Sequence, residues 1–476
     1  MIILCSILKK PAQIAIVSTI CKKKGGFFMK GIADFTRGPV TKQLICFALP
    51  LFASQLLQIL YNMADMVIVG QVMGKVGLSA VAIGGDITNC LTFVAMGFSN
   101  AGQVLLALYI GAGKRRELTA FVNTLFLLLC GIAVVTTGLG LYWRHEILRL
   151  MQAPPESFDQ ALAYASLTIG GLFFIYGYNA ISAILRGMGD AKHPFYFISI
   201  AAVTNIVLDI VLVIFCRWGA AGAAMATVLS QALSFALGFH FLWRHRKCYD
   251  LWQDTPRFAF DSHAAVALMK LGIPMAIKNA SVQFSKLFVS SWINSYGVAV
   301  SAFAGIANKL TSTANLISNA INTAGSTMVG QNIGARQYSR VRQIIVTIFE
   351  IVTTLALAAS FILCLWPVSV YHLFTTDEAV IAVGLEYLPI GVLCFFGCAG
   401  RSGMNALING SGNTKVNFAT AIFDGLVLRL GLSVLFGLYL NWAYLGFWLG
   451  DALANFTPLW VGAAFYASGK WKERRL

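Results

Sequence analysis

The sequence predicts an all-α integral membrane protein with about 12 transmembrane helices in two homologous six-helix lobes. Hydrophobic residues make up 58% of the 476 residues and charged residues only 11%, whereas a soluble domain carries roughly one-quarter charged residues. Mostly apolar segments of about 20 residues or more, long enough to cross a bilayer as helices, recur between short polar breaks. The two halves of the chain also repeat the same motifs in the same order.

The internal repeat relates the two halves with a shift of roughly 223 residues. Motifs of the first half return in the second as the following pairs: Phe47-Ala-Leu-Pro50 and Leu271-Gly-Ile-Pro274, Leu78-Ser-Ala-Val-Ala82 and Val300-Ser-Ala-Phe-Ala304, Tyr109-Ile-Gly-Ala112 and Asn332-Ile-Gly-Ala335, Arg186-Gly-Met-Gly-Asp-Ala-Lys192 and Asn409-Gly-Ser-Gly-Asn-Thr-Lys415. A period this long indicates two homologous lobes rather than a solenoid. In the last pair, we expect the glycines to form a tight turn with positive φ.

The twelve apolar segments divide evenly between the lobes. Their approximate bounds are 42–69, 78–110, 118–142, 160–185, 194–216 and 220–243, then 266–292, 300–332, 342–366, 380–408, 416–440 and 444–468. The segments predict a chain organised as a tail at 1–40, a first lobe at 41–243, a linker at 244–265, a second lobe at 266–468 and a basic tail at 469–476. Residues 1–28 contain only short apolar stretches and no signal-peptide pattern. We therefore expect Met29 as the natural start, with an upstream extension or disordered tail before it.

The net charge of +16 lies mostly in alternate loops, which indicates membrane topology rather than nucleic-acid binding. One side holds most of the bases, and the opposite side holds only Lys75, Arg144, Arg149 and Arg217. The positive-inside rule then predicts a multi-pass protein of the cell membrane with both termini in the cytoplasm. Because six helices per lobe is an even number, we expect the lobes to be related by a pseudo-twofold axis along the membrane normal.

Cysteines and histidines do not form a recognisable site. Most of the ten cysteines lie alone in apolar segments, and we expect Cys394 and Cys398 to be small core residues. The six histidines form no metal-binding motif. We therefore expect no metal, no cofactor and no enzymatic activity.

Several motifs resemble the multidrug and toxic compound extrusion (MATE) family of transporters. The resemblance covers about residues 30–470, and the motifs that carry it are the run from Asp34-Phe-Thr-Arg-Gly-Pro to Phe47-Ala-Leu-Pro50, Tyr61-Asn-Met-Ala-Asp65-Met-Val-Ile-Val-Gly70, Gly111-Ala-Gly113, Arg186-Gly-Met-Gly-Asp190 and Asn205-Ile-Val-Leu-Asp209. The resemblance implies two lobes around a central cavity that opens alternately to either side. It also implies export of varied, often cationic or amphipathic compounds, driven by inward flow of protons or sodium ions.

Acidic side chains inside the apolar spans of the first lobe are candidates for ion coupling. A charged side chain in the membrane interior is energetically costly, so its presence there indicates a function. Asp65, Asp209 and Thr227 lie at similar distances from the predicted outer helix ends, roughly 8–10 Å deep. Asn205 is one helical turn from Asp209. The resemblance implies that these four residues form a hydrogen-bonded network, with Asp65 as the principal ion-binding carboxylate.

Two questions about the ion site stay open in the sequence. The alternative role for Asp65, and equally for Asp209, is a structural one, with the carboxyl hydrogen-bonded between helices. Protons and sodium are both open as the coupling ion, since two carboxylates with Asn and Thr oxygens are also suitable sodium ligands. Neither acid is repeated, because Asp65 aligns with Val289 and Asp209 with Leu432. This departure from sodium-coupled relatives, which typically carry acids in the second lobe, favours protons.

The second lobe instead carries bases within its apolar spans, with Glu350, Asp424 and Asp451 as candidate partners. The bases are either paired with these acids or line a positive wall that accepts anionic or zwitterionic substrates. Aromatic residues of the first lobe are further candidates for the substrate cavity, since aromatic stripes are found both in cavities and in packed cores. The candidates for the cavity are Tyr61, Tyr176, Tyr178, Lys278, Gln283, Lys286, Lys309 and Arg429.

The predicted function is a secondary active exporter coupled to a cation, with drugs or amphipathic metabolites as substrates. A lipid-linked precursor flippase or an exporter of anionic metabolites is the alternative within the same superfamily. Clustered catalytic groups of a membrane enzyme are not visible, and a duplicated chain with unequal acids suits alternating access better than a channel. We expect a monomer whose partners are a small-molecule substrate and membrane lipids, without nucleic acid.

Overall fold

The computed structural model describes residues 28–29, 31–249, 251–252 and 260–473. The predicted extension before Met29 therefore lies almost entirely outside the described residues, as does part of the linker between the lobes. Two short strands, β1 (Phe28–Met29) and β2 (Ile32–Ala33), pair antiparallel before the first helix. Apart from this pair, the regular structure of the described chain is helical.

The first lobe consists of seven α-helices, one short 3₁₀ helix (Arg115–Glu117) and one π-helical turn. They are α1 (Val40–Gly111), α2 (Leu118–Tyr142), α3 (Arg144–Leu150), α4 (Pro155–Gly170), α5 (Leu172–Gly187), α6 (Lys192–Asp209), the π turn Ile210–Phe215 and α7 (Gly219–Arg244). Most are rich in Leu, Ile, Val, Phe and Ala, so tertiary packing rather than polar patterning fixes their orientation.

The second lobe repeats this order with more interruptions. It consists of α8 (Ser262–Asn294), α9 (Val298–Gly334), α10 (Tyr338–Leu365), α11 (Pro367–His372), α12 (Glu378–Gly410), α13 (Thr414–Ile422), the π turn Phe423–Leu428, α14 (Arg429–Val434), the π turn Leu435–Tyr439, α15 (Ala443–Ala454) and α16 (Thr457–Ala467). Pro50 and Pro274 lie inside α1 and α8, as the sequence predicts. The predicted two-lobe helical fold is thus confirmed.

Helix α1 contains two of the predicted spans. Its 72 residues would extend about 108 Å as one straight helix, far more than the roughly 30 Å of a bilayer core. Gly74, with φ 62° and ψ −153°, interrupts the helix, and glycine adopts this conformation because it has no Cβ. The first arm, 40–73, and the second arm, 75–111, therefore correspond to the segments predicted at 42–69 and 78–110.

Fewer helices meet the length and apolarity expected of a span than the sequence predicts. Among the described residues there are eight, or nine if α4 and α5, which are bent by 45°, form one span. Every one of the twelve predicted segments still falls on helical chain. The number is lower because α1 carries two segments, α9 is more polar than the others, and α15 and α16 are each too short.

The lobes contact each other along the second arm of α1. A Cβ at Gly111 would overlap the backbone carbonyl of Gln331, and a Cβ at Gly334 would overlap the carbonyl of Leu108. Nearby, the Gln103 side-chain amide donates a hydrogen bond of 2.7 Å to the Thr327 hydroxyl. Glycine at both helix ends thus allows the two backbones to approach closely, which closes the interface at this end of the molecule.

The segment at 31–39, here called the strap, crosses the same end of the interface. Its Ala33 amide donates to Met188 of the first lobe at 2.9 Å, and its Phe35 amide donates to the Gln331 side chain of the second at 3.0 Å. The Phe35 carbonyl accepts hydrogen bonds from Asn332 and Arg340. The Phe35 ring is fully buried. Residues predicted as part of a tail therefore connect the two lobes.

Candidate functional site

The predicted ion-coupling residues of the first lobe come together between three helices. Asp65 lies on the first arm of α1, Asn205 and Asp209 lie on α6, and Thr227 lies on α7. The carboxyl groups of Asp65 and Asp209 face each other. Both are buried, with exposed fractions of 7% and 0%, and Asn205 is 1% exposed. The structure therefore brings together the acids that sequence depth places at one level.

The polar atoms of this cluster, here called the acidic pocket, are largely unsatisfied. One Asp65 oxygen, both Asp209 oxygens and both amide atoms of Asn205 are buried without a hydrogen-bond partner in the described chain. Asp65 and Asp209 also form no ion pair there. Buried polar groups are normally paired, because an unmade hydrogen bond costs about 1–3 kcal/mol. The four oxygens among these five atoms are suited to hold a proton or a small cation.

The Thr227 hydroxyl and a tyrosine complete the pocket. The Thr227 hydroxyl donates to the Ala223 carbonyl of its own helix at 3.0 Å, which leaves its oxygen lone pairs to accept. The hydroxyl of Tyr164 on α4 lies beside Thr227 and Asp65. Sequence reasoning missed Tyr164, although the repeat carries a signal, since Tyr387 occupies the equivalent position of the second lobe.

The predicted cavity aromatics have different surroundings. Tyr61 is 9% exposed, and its ring lies one turn from Asp65 on the same helix. Tyr176 is fully buried, and its hydroxyl donates to the Leu91 carbonyl at 2.7 Å. The Tyr178 hydroxyl donates to the Pro194 carbonyl at 3.1 Å. In this conformation Tyr61 borders the acidic pocket, whereas the other two hydroxyls are used in packing within the lobe.

The second lobe buries a chain of alternating charges, here called the ion-pair network. The fully buried Arg429 guanidinium pairs with Asp424 at 3.0 Å and with Asp451. Asp424 also pairs with Arg401 at 3.0 Å. The Asn455 side-chain oxygen accepts hydrogen bonds from both arginines, and Asn455 lies at the break between α15 and α16. The predicted partners Asp424 and Asp451 are thus confirmed.

The other bases of the second lobe are outside this network. Lys278 donates to the neutral side chain of Asn405 at 2.7 Å. Lys286 is partly buried and faces the interior of the lobe. Gln283, Lys309 and the third predicted acid, Glu350, are exposed. The prediction that Glu350 pairs with the buried bases is wrong, since this carboxylate forms no ion pair in the described chain and the pairing acids lie on α15 and beside α14.

Both charged clusters lie at π-helical turns. Asp209 is the last residue before the turn Ile210–Phe215, and Asp424 lies within Phe423–Leu428. A π turn places side chains differently from the regular helical period and frequently occurs at functional sites. The sequence does not indicate these turns, because apart from Asp424 and Gly425 they consist of apolar residues like those of the surrounding helices.

Comparison with known proteins gives a match in each lobe. A family model described as MatE matches residues 50–211 and 274–435. The "Probable multidrug resistance protein YpnP" of Bacillus subtilis (strain 168) is 28% identical over 444 residues, covering 93% of this chain and 98% of the relative. A "FAD transporter" of Shewanella oneidensis is 23% identical over 390 residues, covering 78% of this chain and 84% of the relative.

Solved structures share the fold. The structure described as "Crystal structure of MATE in the bent conformation" superposes with a TM-score of 0.84 at 23% identity, covering 94% of this chain and all of the other. A transporter of the MOP superfamily from Pyrococcus furiosus, described as having a binding pocket of reversed polarity, gives a TM-score of 0.83 at 23% identity and the same coverage. Because the family model matches most of both lobes, the chain belongs to the MatE family of multidrug and toxic compound extrusion proteins, which are membrane efflux transporters and not enzymes.

Proposed function

We propose that this transporter exports drugs or amphipathic metabolites in exchange for inward-moving protons, with Asp65 as the principal proton carrier. The observation that carries the proposal is the acidic pocket, where two buried carboxylates face each other without a basic partner in the described chain. Two adjacent carboxylates repel when both are charged, so one proton bound between them is strongly favoured. Loss of that proton restores the repulsion between the carboxylates. The difference in electrostatic energy between the protonated and deprotonated pocket can drive a conformational change.

Protons account for this pocket better than sodium ions do. Sodium requires several oxygen ligands at once, whereas one of the five unsatisfied pocket atoms is the Asn205 amide nitrogen, which donates hydrogen bonds and does not bind a cation. In the second lobe, the network aspartates are already paired with arginines. The acidic pocket is therefore a region of the described chain where buried acids can gain and lose a proton without breaking an ion pair.

Alternating access supplies the link between the proton and the substrate. The lobes are closed at the end that carries the strap, which is the end with most of the basic loops. By the positive-inside rule this end faces the cytoplasm, with both termini on that side. We infer that protonation of the acidic pocket changes the packing between the first arm of α1 and α6, and that this change opens the closed end.

Transport by the purified protein in liposomes tests the proposal. Vesicles are loaded with a panel of organic cations and amphipathic dyes, and either a pH gradient or a sodium gradient is imposed. We expect efflux with the pH gradient alone, and a loss of about 100-fold or more for Asp65→Asn. Asp159→Asn is the matched control, because Asp159 is an exposed acid in the same lobe, and it should transport normally.

Three results would contradict the proposal. Equal transport by wild type and Asp65→Asn would exclude this carboxyl as the carrier. Transport driven only by sodium would exclude protons. Absence of efflux for every substrate under both gradients would exclude the exporter function in the form proposed.

A further inference from the structure

A small cavity of about 50 Å³ lies inside the second lobe, between α8, α9, α12 and α15. Its volume is enough for a few water molecules, whereas a drug-sized ligand requires roughly 300–1,000 Å³. The cavity is therefore suited to an ion or to one functional group. Its polar lining consists of Lys286, Ser290, Asn308, Thr311, Ser312, Tyr387 and Asp451.

The charges around this cavity do not balance. The ion-pair network contains two arginines and two aspartates, so its formal charge is zero. Lys278 and Lys286 add two positive charges, and neither forms an ion pair within the part of the chain that the structure describes. An excess of positive charge inside a membrane protein is unfavourable unless an anion or water compensates it. Lys286 is the base that reaches the cavity.

The neutral groups of the lining also favour an anion. The hydroxyls of Ser290, Thr311 and Ser312 and the amide of Asn308 are hydrogen-bond donors. Asp451 alone would repel an anion, but its carboxylate is paired with the fully buried Arg429. The cavity is thus lined by one uncompensated ammonium group and several neutral hydrogen-bond donors. A halide or a carboxylate requires such an environment.

We propose that this cavity is a binding site for a small monovalent anion, either a free halide or the carboxylate of a transported compound, with Lys286 as the principal ligand. The site lies in the second lobe, away from the acidic pocket, and takes charge of the opposite sign. It does not depend on which cation drives export. The two candidate ligands, a halide and a carboxylate, share a single negative charge carried by a group of three heavy atoms or fewer.

Direct binding to the full-length protein in detergent tests this proposal. Thermal unfolding is followed in increasing sodium chloride or sodium acetate, with sodium methanesulfonate, whose anionic sulfonate group exceeds three heavy atoms, maintaining the ionic strength. A ligand that binds only the folded state raises the unfolding temperature saturably. We expect this for wild type, and an apparent affinity about tenfold or more weaker for Lys286→Gln. Lys286→Arg should retain binding, because it keeps the charge.

Matched variants make the result specific. Lys270→Gln removes an exposed lysine from the same helix as Lys286, away from the cavity lining, and should leave the anion response unchanged. If Lys286→Gln does not fold, Thr311→Val, which removes one donor from the wall, should still weaken the response. A response to both anions identifies a site that accepts a substrate carboxylate, and a response to chloride alone identifies a halide site.

The proposal is overturned if wild type shows no saturable response to either anion, or if Lys286→Gln responds as wild type does. In that case Lys286 is compensated by Asp451 through water. Asp65→Asn should keep the full anion response even though it loses transport. Failure of the anion site and failure of proton coupling are therefore distinguishable.

Discussion

The first lobe buries two acids that have no basic partner in the described chain, whereas the second lobe holds one buried and one partly buried acid that are both paired with arginine. The helices that carry these groups are related by the same repeat, but the π-helical turns at the two clusters are not equivalent. The turn Ile210–Phe215 corresponds to Leu435–Tyr439, and Phe423–Leu428 corresponds to regular helix of α6. Duplication has therefore kept the helices, whereas the charges and the turn at Asp424 differ between the lobes. Unpaired acids can gain and lose protons at low cost, while paired acids are held ionised. We infer that the first lobe switches and that the second stays fixed.

The largest expected effect is on the fixed cluster. Arg429→Met removes the guanidinium that joins Asp424 to Asp451. It leaves the partly buried Asp451 without an ion-pair partner, while Asp424 keeps Arg401, and breaking a buried pair from one side costs about 3–5 kcal/mol. We expect the free energy of unfolding in detergent to fall by that amount, measured by chemical denaturation. Arg342→Ala, at an exposed position of α10, should change it by less than about 0.5 kcal/mol. Equal effects would mean that the network does not stabilise the lobe.

Sequence patterns predict the helices better than the contacts between distant parts of the chain. Apolar length places all twelve segments, and the repeat predicts the glycine turn, where Gly189 and Gly412 both have positive φ. The break at Gly74 falls between the segments predicted at 42–69 and 78–110, but no proline marks the residue at which the helix is interrupted. The strap was not predicted as an interlobe contact either, since Phe35 binds residues almost 300 positions away through single hydrogen bonds. Contacts of this kind produce no periodic signal.

In the candidate site, too, the sequence predicts where a residue lies along its helix but not which side chains it contacts. Helical depth and family resemblance together select Asp65, Asn205, Asp209 and Thr227, and the structure places them together. Tyr164 was missed because one tyrosine in an apolar helix is common. Glu350 was wrongly chosen as a partner because its position within a span does not show which face of α10 it lies on. Position along a helix is thus predictable, whereas partner choice depends on neighbouring helices.

The next effect concerns a turn that both lobes contain. Asp190 of the first lobe corresponds to Asn413 of the second, and each accepts backbone hydrogen bonds at the start of the following helix. Asp190 is also bonded to the His193 ring at 2.5 Å and to the Tyr249 hydroxyl at 3.1 Å. Burial alone would raise the pKa of Asp190, but the hydrogen bonds and the charge of His193 outweigh it and lower the pKa below its usual value.

We expect Asp190→Asn to lower the free energy of unfolding by about 1–2 kcal/mol at pH 7. Because the folded-state pKa is depressed, the stabilisation by Asp190 is fully present above about pH 4 and is lost as the pH falls through the folded-state value. The difference between variant and wild type should therefore shrink in acid, measured by denaturation at several pH values. Asn413→Asp, which has no equivalent of Tyr249, should change stability by less than about 0.5 kcal/mol. A difference independent of pH would contradict the assignment.

A smaller effect is expected in the acidic pocket itself. Asp65→Asn keeps the shape of the side chain and removes a charge that has no basic partner in the described chain. We expect the free energy of unfolding at pH 7 to stay within about 1 kcal/mol of wild type, although transport is lost. If Asp65 is instead a structural residue bonded between helices, the variant will lose more than about 2 kcal/mol, and loss of transport will then reflect misfolding.

The smallest expected effect concerns one backbone position at which the two lobes carry different residues. Gly113 and Arg336 are equivalent in the repeat, and both have positive φ, 73° and 57°. A side chain in this conformation costs about 1–2 kcal/mol, partly offset by the greater unfolded-state freedom of glycine. Arg336→Gly should therefore raise the free energy of unfolding by about 0.5 kcal/mol. Gly113→Ala should lower it by about 1 kcal/mol, and this loss would arise from the backbone alone, because a Cβ there contacts no atom within 4 Å.

Arg336→Ala isolates the charge from the backbone. If it stabilises as much as Arg336→Gly does, the positive φ contributes nothing, and the two lobes differ here only in charge.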